Sequence, residues 1–313
     1  MNTDSLDLFF TLIIQIIPLL CLIGVGFYAG RKLDMNMHSM GMLSIYILSP
    51  FVIAISLMQV DLQPSYIAVP IFFFFIVSGL SLLASKLGRK VLEKPYQPLM
   101  PLLGGTANTG YFGIPIVTTL LGPAAIGIYM LFNMALLITE VTSSYYLSAR
   151  GHMTIKDSLK RVVKLPPLYG VIIGVTLNVI HAPLPAIVHT YWTHATGAYI
   201  IIGMMLIGVG LSKLPSLHIN LKFTGLIFLH KFIIWPAVFI ALLCIDKSYT
   251  HWLNDDAYLM LFLISICPLP ANAVAYAVQL KLPAEEAAAA ILASTLLALL
   301  YVPAALTLYF LYF

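Results

Sequence analysis

The stretch that decides the fold reads GGTANTGYFGIPIVTTLLG and covers residues 104–122. It is apolar enough to cross a membrane, yet its first twelve residues include several helix breakers, namely Gly104, Gly105, Gly110, Gly113 and Pro115. In a helix interior, glycine costs about 1 kcal/mol and proline about 3 kcal/mol relative to alanine. The stretch therefore predicts two half-helices joined by an unwound segment.

A second stretch, SICPLPANAVAYAVQ at residues 265–279, repeats this design. Pro268 and Pro270 lack backbone N–H groups and free carbonyl groups one turn upstream. Non-helical backbone at membrane depth is tolerated only against protein or a water-filled cavity. We therefore predict a small polar site at the midplane, near the side chains of Thr106, Asn108, Thr109, Ser265 and Asn272. Alternatively, glycine and proline are simply common in membrane helices and the asparagines pack between helices.

The two predicted breaks also indicate what the site binds. Each second half-helix begins near the membrane centre, where its unpaired N–H groups carry a partial positive charge. Two such ends favour an anion such as a carboxylate. The candidate substrate-binding residues are Asn108, Thr109, Gly110, Pro115, Pro268, Pro270 and Asn272.

The composition places the whole chain in lipid. Of 313 residues, 61% are hydrophobic and 9% charged, against roughly 25% charged in soluble domains. Because the acidic start MNTDSLDLF has no cleavage site after its apolar run, we expect a retained first span. At about 20 residues per crossing, the sequence predicts an all-α protein with ten spans, near 8–29, 38–58, 67–86, 97–121, 123–147, 166–181, 195–212, 223–245, 257–280 and 284–311.

Basic residues predict the orientation. With both termini outside, 14 of the 16 lysines and arginines fall in inward loops, the others being Lys231 and Lys247. Positive charge therefore lies on the cytoplasmic side, as insertion requires. Four aromatic residues are expected as anchors at the outer interface: Tyr191, Trp192, Tyr249 and Trp252.

The longest inward loop divides the chain into two sets of five spans. We expect a first repeat over residues 1–149, a cytoplasmic loop over 150–165 and a second repeat over 166–313. Because each set has an odd number of spans, the second set begins on the opposite side of the membrane from the first. This is the arrangement of inverted-repeat transporters. When the two halves are aligned with an offset of 160 residues, Asn108 aligns with Pro268 and Pro123 with Pro283. The predicted helix interruptions therefore occupy equivalent positions in the two halves.

Glu140 and Lys231 are charged residues well inside predicted spans, and His230 adjoins the lysine. A charge at a helix centre costs about 2.5–3.5 kcal/mol on insertion scales. At ~1.5 Å per residue, the two lie at similar depths from the cytoplasmic ends. We hypothesise that they approach each other or share a cavity, and that one carries a coupling proton. Alternatively, both extend to the inner headgroups. Asn133 shares the helix face of Glu140 and extends the polar path.

Other chemistry finds little support in the sequence. His181, His189 and His194 fall in a predicted outward loop without the spacing of a zinc site, so we expect no metal and no cofactor. The motifs HExxH and GxSxG are missing, and the chain is not expected to be an enzyme. No GK[ST] nucleotide loop occurs, which disfavours a primary pump, and no nucleic-acid partner is expected.

The motif NTGYFGIP at 108–115, followed by LLGPAAIG at 120–127, resembles the auxin efflux carrier family, including bacterial malonate or organic-acid permeases. Pro50 in the second span and the basic central loop agree with the short-loop bacterial branch. The resemblance implies a fold shared with bile-acid:sodium symporters. There, spans one, two, six and seven form a scaffold, and spans three to five and eight to ten form a transport core.

The resemblance also implies elevator-type motion, a homodimer and a multi-pass position in the cell inner membrane. It implies that Asn108 and Asn272 hold the substrate carboxylate, although the closely spaced prolines before Asn272 depart from the family pattern. The predicted function is secondary-active transport of small organic anions, such as malonate, malate or auxin-like acids. A sodium-coupled symporter and a solute or ion channel remain alternatives.

Overall fold

The computed structural model describes residues 3–149, 154–213 and 219–313, and within these ranges it contains helices and no strands. We number the helices along the chain as α1 (Thr3–Lys32), α2 (Met37–Met58), α3 (Pro64–Val91), α4 (Leu99–Gly104), α5 (Thr109–Gly113 and Ile114–Leu121), α6 (Pro123–Ser148), α7 (Ile155–Val163), α8 (Pro166–Val179), α9 (Ala186–Ser212), α10 (Leu221–Thr250), α11 (Asp255–Ile266), α12 (Ala273–Gln279) and α13 (Ala284–Tyr312).

Within the described ranges, seven helices are long and apolar enough to cross a membrane, namely α1, α2, α3, α6, α9, α10 and α13. The predicted all-α membrane class is thereby confirmed. α8 is apolar but shorter, with the bounds Pro166–Val179. The number of ten crossings stays a prediction, because it also needs α8 and the two interrupted segments.

Both predicted interruptions occur in the structure. α4 ends at Gly104 and helical backbone resumes at Thr109, while α11 ends at Ile266 and α12 begins at Ala273. Pro268 and Pro270 lie in the second gap, where they supply no N–H to continue the helix. Each interruption places unwound backbone among buried residues.

The predicted outer end of the seventh span was wrong. α9 begins at Ala186, so His189 and His194 lie on a helix and not in a loop. Trp192 is 3% exposed, and its Nε1 donates to Ser56 Oγ at 2.9 Å. This tryptophan therefore packs α9 against α2 and is not an interface anchor. The polar residues on either side of Trp192 were the reason that a loop was predicted here. The other three expected anchors, Tyr191, Tyr249 and Trp252, are exposed.

The predicted cytoplasmic loop contains a helix, α7, while residues 150–153 lie outside the described ranges. The Thr154 hydroxyl accepts from the Asp157 N–H at 3.2 Å, and the Asp157 carboxylate accepts from the Thr154 N–H at 3.2 Å. This reciprocal cap satisfies donors at the helix start. The Arg161 guanidinium lies 3.9 Å from the Tyr145 ring centre, which holds α7 against α6.

Glycines allow close backbone packing in two helix pairs. Gly26 on α1 lies against the Met205 carbonyl oxygen of α9, and Gly208 lies against that of Ile23. On α8, a methyl group at Gly170 would come within 2.6 Å of the Pro50 carbonyl oxygen of α2. Small residues at such contacts are typical of membrane helix pairs. These four helices are those of the predicted scaffold, and the division into scaffold and core stays a prediction.

Candidate functional site

The two helix breaks meet each other inside the protein. The Asn108 N–H donates to the Pro268 carbonyl oxygen at 2.9 Å. The Leu269 N–H, in the second break, donates to Ser294 Oγ of α13 at 3.1 Å. Backbone groups that the breaks release from helical bonding therefore find partners across the crossing, as burial requires.

A cavity of about 70 Å³ lies beside this crossing. That volume is enough for a few ordered water molecules or a small polar group. Its polar lining comes from both breaks and from α2, α5, α6, α9 and α12, through Ser49, Thr106, Asn108, Thr109, Tyr111, Asn133, Glu140, Tyr199, Asn272 and Tyr276. No lysine, arginine or histidine lines the cavity among the described residues.

The structure brings six of the predicted site residues together at this cavity: Asn108, Thr109, Gly110, Glu140, Pro270 and Asn272. The other four, Pro115, Pro268, His230 and Lys231, do not line it. Pro268 contributes its carbonyl oxygen to the crossing. Pro115 instead lines a separate crevice of about 580 Å³ between α1, α5 and α9, together with Gln15 and Thr193.

Asn133 and Thr109 connect α6 to the first break. The Thr109 hydroxyl donates to Asn133 Oδ1, and the Tyr129 hydroxyl donates to the Thr109 carbonyl oxygen at 3.2 Å. Asn133 and Tyr129 both belong to α6, so this helix holds the unwound segment in place. The expected extension of the polar path through Asn133 agrees with its position in the cavity wall.

Two side-chain atoms at the cavity are buried without a hydrogen-bond partner, Asn108 Nδ2 and Glu140 Oε1. Asn108 is 4% exposed and Glu140 is 5% exposed. Glu140 begins a π-helical turn, Glu140–Ser144, and such turns are frequent at functional sites. The Asn272 amide lies beside the Glu140 carboxyl group. The site thus combines an unused amide donor with an unused carboxyl oxygen.

Lys231 and His230 lie in a different cluster, behind α4. Lys231 Nζ is 3.6 Å from the Trp235 ring centre and is buried without a hydrogen-bond partner. The indole N–H of Trp235 donates to the Gly104 carbonyl oxygen at 2.9 Å, and His230 Nε2 lies 3.1 Å from the same oxygen. Asp34 and Lys213 form a salt bridge elsewhere in the protein. The structure therefore does not bring Lys231 to Glu140, because the lysine turns toward the indole.

Three tyrosines of the cavity were missed by the sequence reasoning: Tyr111, Tyr199 and Tyr276. The Tyr111 and Tyr199 rings lie 4.9 Å apart, and the Tyr111 hydroxyl accepts from Ser44 Oγ at 3.1 Å. Tyr199 comes from α9, far from both breaks in the chain. Tyr111 and Tyr276 could have been suspected from their positions within the two broken stretches.

A second cavity of about 350 Å³ adjoins the first. The two share Ile45, Asn272 and Tyr276, so these residues separate the small cavity from the larger space. The larger cavity extends to Met37 and His38 at the start of α2. It therefore leads from the crossing toward the end of the bundle that carries Arg31 and Lys32.

The fold and this site define an all-α membrane protein with a small polar cavity at two crossing helix breaks. Among the described residues, no group of three or more His, Cys, Asp or Glu side chains is placed to bind a metal ion. Neither the models of known protein families nor the curated proteins include a match to this chain.

Proposed function

We propose that the protein is a secondary-active transporter of small organic anions, such as malonate, malate or auxin-like acids, that works by elevator-type alternating access. The observation that carries this proposal is the cavity between the two breaks, with Asn108 and Asn272 in its wall. Discontinuous helices that meet at a polar site are the usual binding architecture of secondary transporters.

The chemistry of the first break supports an anionic substrate. No side chain caps the backbone at the start of α5, where Asn108 precedes Thr109. N–H groups at such a helix start attract negative charge. The free Asn108 Nδ2 adds a side-chain donor to the same wall. Glu140 is the one acidic residue of the described cavity lining, and we propose that it carries the coupling proton.

The second cavity, of about 350 Å³, and the crevice at Pro115, of about 580 Å³, support alternating access. One adjoins the crossing near Asn272 and Tyr276, and the other is the crevice lined by Pro115 and Thr193. We propose that movement of the crossing exposes the small cavity to each space in turn. The resemblance of residues 108–127 to the auxin efflux carriers supports the same motion, with ten crossings in two inverted halves and a homodimer.

Uptake into liposomes tests the proposal. Purified protein would be reconstituted and offered labelled malonate, malate and indole-3-acetate under imposed pH or sodium gradients. We expect saturable uptake, accelerated by a pH gradient and lost in Asn108→Ala. Asn220→Ser is a matched control, because Asn220 caps α10 outside the cavity and serine retains the cap.

Each outcome of the uptake experiment bears on a stated alternative. Acceleration by sodium alone would favour a sodium-coupled symporter. Flux that rises without saturation would favour a channel. No uptake of any of the three acids, with folded protein in the liposomes, would overturn the proposed function.

A further inference from the structure

Two residues that line the small cavity each carry a buried side-chain atom without a hydrogen-bond partner. Asn108 Nδ2 and Glu140 Oε1 are buried, lack partners and belong to residues that line it. Buried polar atoms normally find hydrogen-bond partners, and leaving them without any is costly. Two complementary orphan atoms in one cavity indicate a ligand that satisfies both.

Two neighbouring polar groups are committed to other bonds. Asn133 Oδ1 accepts from the Thr109 hydroxyl, and the Tyr111 hydroxyl accepts from Ser44. The Asn272 amide lies beside the Glu140 carboxyl group, but Oε1 has no hydrogen-bond partner of normal geometry. The protein itself therefore does not complete the hydrogen bonding of this pair.

Glu140 restricts which acids fit. While Glu140 is ionised, a simple carboxylate held by Asn108 would place a second acceptor-only group in the same cavity. The described cavity lining has no basic side chain to separate the two. An acid that carries a hydrogen-bond donor next to its carboxylate avoids this conflict, because the donor bonds to Glu140.

We infer that the substrate is a small acid with a hydrogen-bond donor beside its carboxylate. Asn108 Nδ2 donates to the carboxylate, and Glu140 Oε1 accepts from the donor, which is a hydroxyl or an ammonium. A donor on the carbon next to the carboxylate keeps both groups close together, as a cavity of about 70 Å³ favours. This inference rests on the proposed transport function and narrows its substrate class.

Matched pairs of acids provide the test. The full-length protein in liposomes would be offered labelled lactate and alanine against propionate, and malate against succinate. Within each pair the acids differ by one donor group. We expect the donor-bearing acid to reach half-maximal uptake at a concentration at least about tenfold lower, since a site built to bond a donor rejects the analogue without it. Preference for lactate and malate would identify a hydroxyl, and preference for alanine an ammonium.

Two variants of Glu140 test whether this residue causes the preference for the donor-bearing acid. Glu140→Leu removes the acceptor, and we expect it to abolish the preference within each pair. Glu140→Gln keeps a neutral acceptor oxygen and the side-chain size, so a preference for hydroxyl acids should survive while one for ammonium acids is lost. Thr142→Val is the control, because Thr142 lies on the same π-helical turn and bonds only to the Ile138 carbonyl oxygen.

Three results separate this inference from the proposed function. Equal uptake within every pair, with uptake still lost in Asn108→Ala, would overturn the inference and leave the transporter standing. A preference that persists unchanged in Glu140→Leu would also overturn it. Failure of the folded protein to take up any acid would overturn both.

Discussion

The backbone N–H of Asn108 and the carbonyl oxygen of Pro268 are 2.9 Å apart, although the two residues belong to opposite halves of the chain. This bond joins the two helix breaks directly. Neither break could be stable alone in lipid, because its released backbone groups would lack partners. The crossing is therefore a single structural unit, and the cavity at its side depends on both halves.

Ser294 supports the second break, and its removal should weaken the fold. In Ser294→Ala the buried Leu269 N–H loses its acceptor. We expect the free energy of unfolding to fall by about 1–3 kcal/mol, the cost of leaving a buried donor unpaired. Thermal unfolding in detergent measures this. Thr295→Val is the control, because the Thr295 hydroxyl bonds only to Ile291 of its own helix. Equal losses in the two variants would contradict the assigned role.

The contact of α1 with α9 should not tolerate a larger residue at Gly208. A methyl group there would overlap the Ile23 carbonyl oxygen. Overpacking of this kind costs about 1–3 kcal/mol, so Gly208→Ala should unfold at a lower temperature. In Gly197→Ala, on the same helix, the methyl group meets nothing within 4 Å. That control should be stabilised by about 0.5–1 kcal/mol, the usual gain in a helix. A stable Gly208→Ala would show that the helices can separate there.

Removal of the Lys231 charge should stabilise the protein. A charged side chain at the centre of a span costs about 2.5–3.5 kcal/mol. The contact of a desolvated cation with an indole ring recovers about 2 kcal/mol of this cost. We therefore expect Lys231→Met to raise the free energy of unfolding by about 1 kcal/mol. The control is Lys222→Met, an exposed position on the same helix, which should change stability by less than about 0.5 kcal/mol. A clear loss of stability in Lys231→Met would contradict this balance of charge cost and indole contact.

Asp34 and Lys213 form an exposed ion pair between the end of α1 and the end of α9, at 2.5 Å. The lysine holds the pKa of Asp34 below its usual value of 3.8. Because the pKa is lowered in the folded state, the stabilisation is complete above the usual pKa and is lost as pH falls through the lowered value. An NMR titration should show the lowered pKa in the native protein and a normal one in Lys213→Gln.

Salt provides the control for this titration. Exposed ion pairs are screened at high ionic strength, where the Debye length falls to about 3 Å at 1 M. We expect the pKa of Asp34 to rise toward 3.8 in 1 M sodium chloride. An unchanged pKa in both Lys213→Gln and high salt would contradict the ion pair.

The sequence predicted the features that depend on local physics. Apolar runs of membrane length give helices, and the glycines and prolines of residues 104–115 and 268–270 interrupt them. Asn108 and Asn272 were identified because they lie in those interruptions, and the structure places both in the cavity wall. The start of α9 at Ala186 was missed, since its first turns are polar and exposed, and the contact of Trp192 with Ser56 of α2 is one that no local pattern reveals.

What the sequence by itself determined is the class of protein, the positions of the breaks and the polar residues within them, because each follows from residues that are neighbours in the chain. Only the tertiary structure decided that Tyr199 and Glu140 share the cavity with the breaks, while Lys231 packs on Trp235 behind it. Helices of similar apolar composition can pack in many ways in lipid. Which faces meet depends on close contacts between distant segments, and those contacts are made only when the chain is folded.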